Sequence, residues 1–140
     1  DEDIQADGVE PTCSAKTLYQ KSDIVSINIP ATKETKQSIN TELLSLMPKG
    51  AIIVNTARKE VVNNDDLVAH MFEDVKFKYV TDILPDNHAE MTEKFPNRYF
   101  STPKKMGAQT SEANVNAGIA AAKQIVDFLL NGNERFRVNK

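Results

Sequence analysis

The chain has 140 residues, of which 40% are hydrophobic and 26% are charged, a balance typical of one globular domain. Its formal net charge of −3 lacks the positive excess of nucleic-acid-binding domains, so we expect no nucleic-acid partner. No apolar run could span a bilayer and no signal peptide opens the sequence, so we expect a cytoplasmic protein without a membrane partner. The single cysteine, Cys13, forms no internal disulfide and has no cysteine or histidine neighbour that would indicate a metal site.

The first part of the chain predicts a loop, a helix and a strand. Residues 1–11 are acidic and without periodicity, which is typical of a loop or a frayed terminus. A short helix through Leu18 should lead into a β-branched strand over residues 24–29. Pro30 ends this strand because it has no N–H to donate to a neighbouring strand.

Two further helix and strand pairs follow. Asn40 is a candidate N-cap for a helix that precedes a strand over residues 51–54. Asn63 or Asn64 can cap the next helix, and the third strand is expected at residues 77–81. Strands that alternate with helices, each strand a nearly continuous apolar run, indicate an α/β fold with a parallel sheet covered on both faces.

The last third of the chain predicts an irregular segment, a short strand and a long helix. Residues 84–98 contain two prolines and many polar groups, which favours irregular structure. Residues 99–100 suggest a fourth strand. Ser111 opens a helix in which apolar residues recur at spacings of three and four, and Gly132 is its expected C-terminal residue.

Polar residues follow each predicted strand. In an open parallel sheet, ligands bind beyond the carboxyl ends of the strands, so these residues are the candidate site. They are Asn28-Ile29-Pro30, Asn55-Thr56-Ala57-Arg58, Asp82 and residues 101–105.

Arg58 and Asp82 are the clearest candidates by position. The Arg58 guanidinium could bind a substrate carboxylate through two parallel hydrogen bonds, and a surface salt bridge with Glu60 is an equally good interpretation. Asp82 could accept a hydrogen bond from a ligand amide, although aspartate is also common in turns.

The other ionisable candidates are lysines and histidines. Lys104 or Lys105 beside Arg58 could act as a general base, whereas most lysines are simply solvated. His70 and His88 are interpreted as structural, because a lone histidine is more often structural than catalytic.

Two long segments resemble the D-isomer-specific 2-hydroxyacid dehydrogenase family. The first is Ser22-Asp23-Ile24-Val25-Ser26-Ile27-Asn28-Ile29-Pro30 with Thr32-Lys33-Glu34-Thr35 after it, and the second runs from Leu46 through Asn55-Thr56-Ala57-Arg58. The resemblance implies a Rossmann-like, doubly wound parallel sheet in three α/β/α layers. Residues 1–110 would be the C-terminal portion of the NAD-binding domain, and residues 111–140 a long helix and tail that return to the substrate domain.

The resemblance also implies hydride transfer between NAD and the C2 carbon of a 2-hydroxy acid, in a homodimer. Carried over by position, Pro30 would line the adenine pocket, and Thr56 and Ala57 would approach the nicotinamide ribose and ring. Arg58 would hold the substrate carboxylate beside the cofactor, and Asp82 the carboxamide. The remaining members of the expected cofactor-binding set are Asn28, Ile29, Gly107 and Ala108.

The chain departs from the family pattern at the catalytic positions. Lys104 or Lys105 stands where the family has histidine, and Lys104 is preferred because it directly follows a Thr-Pro pair. Asn87 stands at the place of the acid partner, with the carboxylate of Asp86 adjacent. The glycine-rich phosphate loop is also absent, so we expect this chain alone to bind NAD poorly and to be inactive.

Lys59 replaces a glycine of the family pattern, and its charge could bind a substrate phosphate. With the short tail after residue 135, Lys59 favours conversion of 3-phosphoglycerate to 3-phosphohydroxypyruvate, a step of serine biosynthesis. A glyoxylate or hydroxypyruvate reductase, or an NAD(H)-binding regulatory protein of the same fold, are the alternatives.

Overall fold

The computed structural model describes residues 8–104 and 110–139. The chain divides between Lys104 and Lys105 into two compact units. We call residues 8–104 the sheet unit and residues 110–139 the helix unit. The predicted domain boundary at residue 110 stays a prediction.

The sheet unit contains a four-stranded sheet with the strand order β1-β2-β3-β4, and every pair of neighbours is parallel. The strands are β1 Ile24–Ile27, β2 Ile52–Asn55, β3 Lys78–Thr81 and β4 Tyr99–Ser101. The helices are α1 Ala15–Lys21, α2 Thr41–Leu44, α3 Asn64–Glu73 and α4 His88–Lys94, and a 3₁₀ turn, Lys59–Val61, follows β2. The predicted α/β fold with a parallel sheet is confirmed.

The carboxyl ends of the strands lie level with one another. Ile27 is paired with Asn55, Asn55 with Thr81, and Thr81 with Ser101. The loops after all four strands therefore leave the sheet at one edge. Strand β1 ends at Ile27, two residues before the predicted boundary.

Asparagine caps begin two of the helices, as predicted. The Asn40 side chain accepts hydrogen bonds from Glu42 N and Leu43 N at the start of α2. Asn63, rather than Asn64, caps α3 by accepting from Asp66 N. These short side chains bind the unpaired N–H groups of the first helical turn, so the start of each helix follows from local sequence.

One face of the sheet is buried by the helices of the sheet unit. Alternate strand residues form a single core with apolar side chains from the helices, among them Ile27, Ile53, Tyr79, Leu67 and Met91. On the opposite face, the β1 residue Ile24 is 62% exposed and the β4 residue Phe100 is 59% exposed. Residues 8–104 therefore form two layers, and the second helical layer of the predicted arrangement stays a prediction.

The prediction of irregular structure over residues 84–98 is wrong, because helix α4 occupies the middle of this segment. The helix has seven residues and no side-chain hydrogen bond at its N-cap, Asn87. It is stabilised by tertiary burial, since Met91 and Phe95 are almost completely inaccessible. Such a short helix with one buried face carries too little periodicity to be recognised from sequence.

The helix unit contains α5, Ser111–Asn131, with a short tail. The Thr110 hydroxyl accepts a hydrogen bond from Ala113 N, and Gly132 adopts a left-handed conformation with φ 67°. The predicted start and end of this helix are confirmed. Among the described residues, no helix is long and apolar enough to cross a membrane.

Candidate functional site

An open cleft of about 300 Å³ lies between the loops that follow β1 and β2. Six residues of the described part of the chain line it: Asn28, Ile29, Pro30, Thr56, Ala57 and Arg58. All six were predicted to bind the cofactor, and the parallel pairing of β1 with β2 brings the two segments together. Clefts in this position, outside the carboxyl ends of parallel strands, are where α/β proteins bind ligands.

The wall after β1 is held by side-chain hydrogen bonds. The Asn28 amide donates to Ser26 Oγ at 3.0 Å, and Thr56 Oγ1 reaches Asn28 Oδ1 at 3.4 Å from the opposite wall. Behind Pro30, Thr35 Oγ1 donates to the Pro30 carbonyl at 2.6 Å and accepts from Thr32 N at 2.7 Å. The Thr32–Thr35 part of the motif thus closes a turn that fixes Pro30 at the edge of the cleft.

The wall after β2 is organised by Asn55, which is completely buried. Its Oδ1 accepts from Ala57 N at 3.0 Å, and its Nδ2 donates to the Arg58 carbonyl at 3.0 Å and to the Tyr79 hydroxyl at 3.2 Å. The sequence placed Asn55 among the residues that follow the second strand but indicated no role for it. Its position was a usable signal, because Ala51, Ile53 and Asn55 share the buried face of the strand.

Arg58 lies on the rim of the cleft with an exposed side chain. One of its guanidinium nitrogens donates to the Ala57 carbonyl at 2.8 Å. The alternative salt bridge with Glu60 is not formed among residues 8–104 and 110–139. The other guanidinium N–H groups have no partner in that part of the chain, so they are available to a carboxylate ligand.

Asp82 follows β3 at the same edge of the sheet and is 9% exposed. Thr102 Oγ1 donates to Asp82 Oδ1 at 2.7 Å, and Asp82 N donates to the Asn55 carbonyl at 3.0 Å. The carboxylate is therefore fixed by the loop after β4, and its backbone is fixed by β2. The predicted contact of Asp82 with an amide group of a ligand stays a prediction.

Lys59 and Asp86 form an ion pair with an N–O distance of 2.5 Å. The hydrogen bond from Lys59 Nζ to Asp86, together with the charge of that carboxylate, raises the pKa of Lys59. The structure thus joins two residues that the sequence analysis assigned to different tasks, phosphate binding for Lys59 and support of the base for Asp86.

The lysines proposed as the base are described only in part. Lys104 is exposed and makes no hydrogen bond or ion pair with any described residue. Lys105, Gly107 and Ala108 lie outside the described residues. Asn87 Oδ1 is buried and lacks a hydrogen-bond partner within the described part of the chain.

Both histidines make contacts with aromatic residues of the sheet unit. His88 Nδ1 lies 2.7 Å from the Tyr99 hydroxyl. The His70 ring packs edge-on against Phe77 at 4.6 Å between ring centroids, and its Nε2 is buried without a partner in the described structure. Burial lowers the pKa of His70. The described residues contain no group of three or more histidine, cysteine or carboxylate side chains that could hold a metal ion.

A larger concavity, of about 680 Å³, lies within the helix unit between α5 and the tail. It is lined by apolar side chains, such as Ile125, Phe128 and Phe136, with Asp127 and Arg137 among them. None of the predicted site residues within the described part of the chain borders it, so the smaller cleft after β1 and β2 is the candidate site.

The chain was compared with known families and proteins. Residues 1–104 match the family model for the NAD binding domain of D-isomer specific 2-hydroxyacid dehydrogenases. The chain is 33% identical over 133 residues to D-3-phosphoglycerate dehydrogenase of Haemophilus influenzae, a match that covers 90% of this chain and 32% of that protein. It is 36% identical over 129 residues to glyoxylate reductase of Thermofilum pendens, with 89% and 37% covered. The chain thus spans about a third of the length of these curated relatives.

Solved structures include close matches to the fold. The crystal structure of NAD+-bound 3-phosphoglycerate dehydrogenase from Entamoeba histolytica superimposes with a TM-score of 0.78 at 42% sequence identity. This match covers 92% of the present chain and 42% of that one. D-lactate dehydrogenase from Aquifex aeolicus, complexed with NAD and lactic acid, superimposes with a TM-score of 0.67 at 26% identity, covering 92% of this chain and 43% of that chain.

Proposed function

Since the chain belongs to the D-isomer specific 2-hydroxyacid dehydrogenase family, through the NAD binding domain that residues 1–104 match, we propose that the protein oxidises the CH–OH group of a D-2-hydroxy acid. The observation that carries this proposal is the cleft in which Asn28, Ile29, Pro30, Thr56, Ala57 and Arg58 come together. When bound, NAD would supply the nicotinamide ring that accepts the hydride from C2 of the substrate.

The residues of the cleft suit parts of NAD. Ile29 and Pro30 offer apolar surface to a flat base, and the Thr56 hydroxyl can bond to a ribose hydroxyl. The Asp82 carboxylate, oriented by Thr102, suits the donor N–H₂ of a carboxamide. Gly107 and Ala108 complete the proposed cofactor-binding set.

Arg58 and a lysine are the proposed reactive pair. The Arg58 guanidinium holds the carboxylate of the substrate, because its planar N–H groups match the two carboxylate oxygens. The neutral amine of Lys104, or alternatively of Lys105, removes the proton of the C2 hydroxyl of the substrate. Asp86, which is paired with Lys59, and Asn87 complete the proposed catalytic set.

We propose 3-phosphoglycerate as the substrate, with 3-phosphohydroxypyruvate as the product, and a homodimer as the assembly. The relative from Haemophilus influenzae is a D-3-phosphoglycerate dehydrogenase, and so is the structural relative from Entamoeba histolytica. The cation of Lys59, one residue after Arg58, supports a substrate with a second anionic group. The relative from Thermofilum pendens is a glyoxylate reductase, so glyoxylate and hydroxypyruvate are the competing substrates.

A substrate panel tests the proposal. The full-length protein is assayed for NADH formation with 3-phosphoglycerate, D-glycerate and D-lactate, and for NADH consumption with glyoxylate and hydroxypyruvate. We expect turnover, with the largest kcat/KM for 3-phosphoglycerate. NAD binding without turnover of any of these acids would overturn the proposal and favour a regulatory NAD(H)-binding protein. A larger kcat/KM for glyoxylate or hydroxypyruvate would keep the dehydrogenase and change its substrate.

A further inference from the structure

Asn55 lies beneath the cleft without lining it. Its side chain is fully buried at the last position of β2, and Arg58, three residues later, is the N-cap of the 3₁₀ turn. A buried amide must be hydrogen-bonded, because an unpaired donor or acceptor away from water costs free energy. The partners of this amide therefore indicate what the residue does.

Two of the three bonds of the Asn55 amide go to the loop that carries Arg58, and the third goes to the neighbouring strand β3. Oδ1 accepts from Ala57 N, one Nδ2 hydrogen goes to the Arg58 carbonyl, and the other goes to the Tyr79 hydroxyl on β3. The amide orientation follows from these partners, since a backbone N–H requires an acceptor and a backbone carbonyl requires a donor. Both Nδ2 hydrogens are used, which leaves no spare donor for another task.

These bonds fix the peptide group before Ala57 and the peptide group after Arg58. The Ala57 N–H and the Arg58 carbonyl are held by the Asn55 amide, while the Ala57 carbonyl accepts from the Arg58 guanidinium at 2.8 Å. The backbone and the side chain of Arg58 are thus tied to the same short loop. Tyr79, which is 1% exposed in the core, anchors the amide from the neighbouring strand.

We propose that Asn55 is a positioning residue for the substrate carboxylate, acting through Arg58. This inference rests on the proposed function, in which Arg58 binds that carboxylate. Other side chains of the asparagine's size fail at this position: aspartate keeps the acceptor for Ala57 N but places a second acceptor against the Arg58 carbonyl. Misplacement of a binding group by about 1 Å can reduce the rate about 100-fold.

A double-mutant cycle in the full-length protein tests the proposal. Asn55→Asp should reduce kcat/KM for 3-phosphoglycerate at least about tenfold, mainly through the KM of the acid, with a smaller change in the KM of NAD. In an Arg58→Ala background the same substitution should cost less than about threefold, because the guanidinium that Asn55 positions is already absent. Leu67→Ala, a core substitution in α3, is the control for lost stability and should leave kcat/KM of the folded protein unchanged.

Hydrogen exchange provides a readout that does not need activity. In Asn55→Ala the Ala57 amide should exchange at least about tenfold faster than in the wild type, whereas Leu67→Ala should not change it selectively. The inference is overturned if Asn55→Asp costs the same factor with and without Arg58, or if the Ala57 amide keeps its protection in Asn55→Ala. If the wild-type protein turns over no 2-hydroxy acid, the proposed function fails, and the exchange experiment alone then decides whether Asn55 holds the loop.

Discussion

Lys59 Nζ lies 2.5 Å from Asp86 Oδ1, so an ion pair joins the loop after β2 to the loop after β3. Lys59 directly follows Arg58 in the chain. The carboxylate balances the charge of Lys59, whereas the Arg58 guanidinium has no carboxylate partner among the described residues. Two neighbouring cations thus differ in their availability to an anionic ligand.

Substitution of Lys59 should change the preference for a phosphorylated substrate. The Lys59 and Asp86 side chains are 36% and 75% exposed, so the ion pair can exchange partners with a substrate phosphate. Lys59→Gly should lower the ratio of kcat/KM for 3-phosphoglycerate to kcat/KM for D-glycerate about tenfold, as the loss of one charge-assisted hydrogen bond would. The measurement is steady-state NADH formation with both acids.

Asp86→Asn is the matched control for this test. It removes the competing carboxylate and leaves the Lys59 ammonium in place, so the same ratio should stay equal or rise. A ratio that is unchanged by Lys59→Gly would show that the lysine does not contact the phosphate. A ratio that falls in both variants would mean that the ion pair itself, rather than the cation, shapes the site.

The lysine base should be visible in the pH profile. An ordinary lysine, with a pKa near 10.4, is almost fully protonated at neutral pH, and a base must be neutral to take a proton. We expect kcat/KM for hydroxy acid oxidation to rise from neutral into alkaline pH. In Lys104→His the rise should be complete near neutral pH, because histidine loses its proton near pH 6.5.

Replacing each lysine in turn by methionine decides which of the two is the base. Lys104→Met should abolish the alkaline rise, and Lys105→Met should preserve it. The opposite result would assign the base to Lys105. A flat wild-type profile, with chemistry shown to be rate-limiting by a deuterium isotope effect at C2, would count against a lysine base altogether.

His70 should make the chain less stable in mild acid. Burial lowers its pKa below the ordinary value of 6.5, although the charges of Asp74 and Glu73 oppose this effect. The unfolded chain therefore takes up the proton first, and stability is lost as the pH falls below about 6.5 towards the folded-state pKa. The loss of the urea midpoint between pH 7.5 and pH 5 should be smaller in His70→Leu than in the wild type.

The Asp74 carboxylate does not obscure this result. Burial raises its pKa, but hydrogen bonds from Gly50 N, Lys76 N and Phe77 N, together with the charge of His70, lower the pKa by more, so the contribution of Asp74 is lost only at lower pH, near and below about 4. Equal losses of stability in the wild type and in His70→Leu would show that the buried imidazole does not limit acid stability.

The sequence predicted most of the sheet because its signals are local. Apolar runs marked the strands, and Asn40 marked a helix start through its bonds to the next backbone N–H groups. Strand pairing then brought Pro30 and Arg58 to one cleft, since both segments follow parallel neighbours. The predicted parallel direction of the strands thus placed both segments at one edge of the sheet, and the strand order in the structure made them neighbours.

Contacts between distant segments were not predictable in the same way. The Lys59 to Asp86 pair depends on the directions in which two exposed side chains turn, and no periodic pattern encodes this. Helix α4 depends on the burial of Met91, a property of the folded chain. Asn55 was predictable in part. Its strand position indicates burial, whereas its three hydrogen-bond partners are defined only by the folded structure.

Arg58 provides the most direct test, because the proposed function requires a guanidinium that binds the substrate carboxylate at the edge of the sheet. In full-length protein, kcat/KM for 3-phosphoglycerate is compared among the wild type, Arg58→Lys and Arg58→Ala, with NAD affinity measured separately by calorimetry. We expect a loss of about 100-fold or more in Arg58→Ala, a smaller loss in Arg58→Lys, and NAD affinity within about threefold of the wild type. Undiminished kcat/KM in Arg58→Ala would contradict the account.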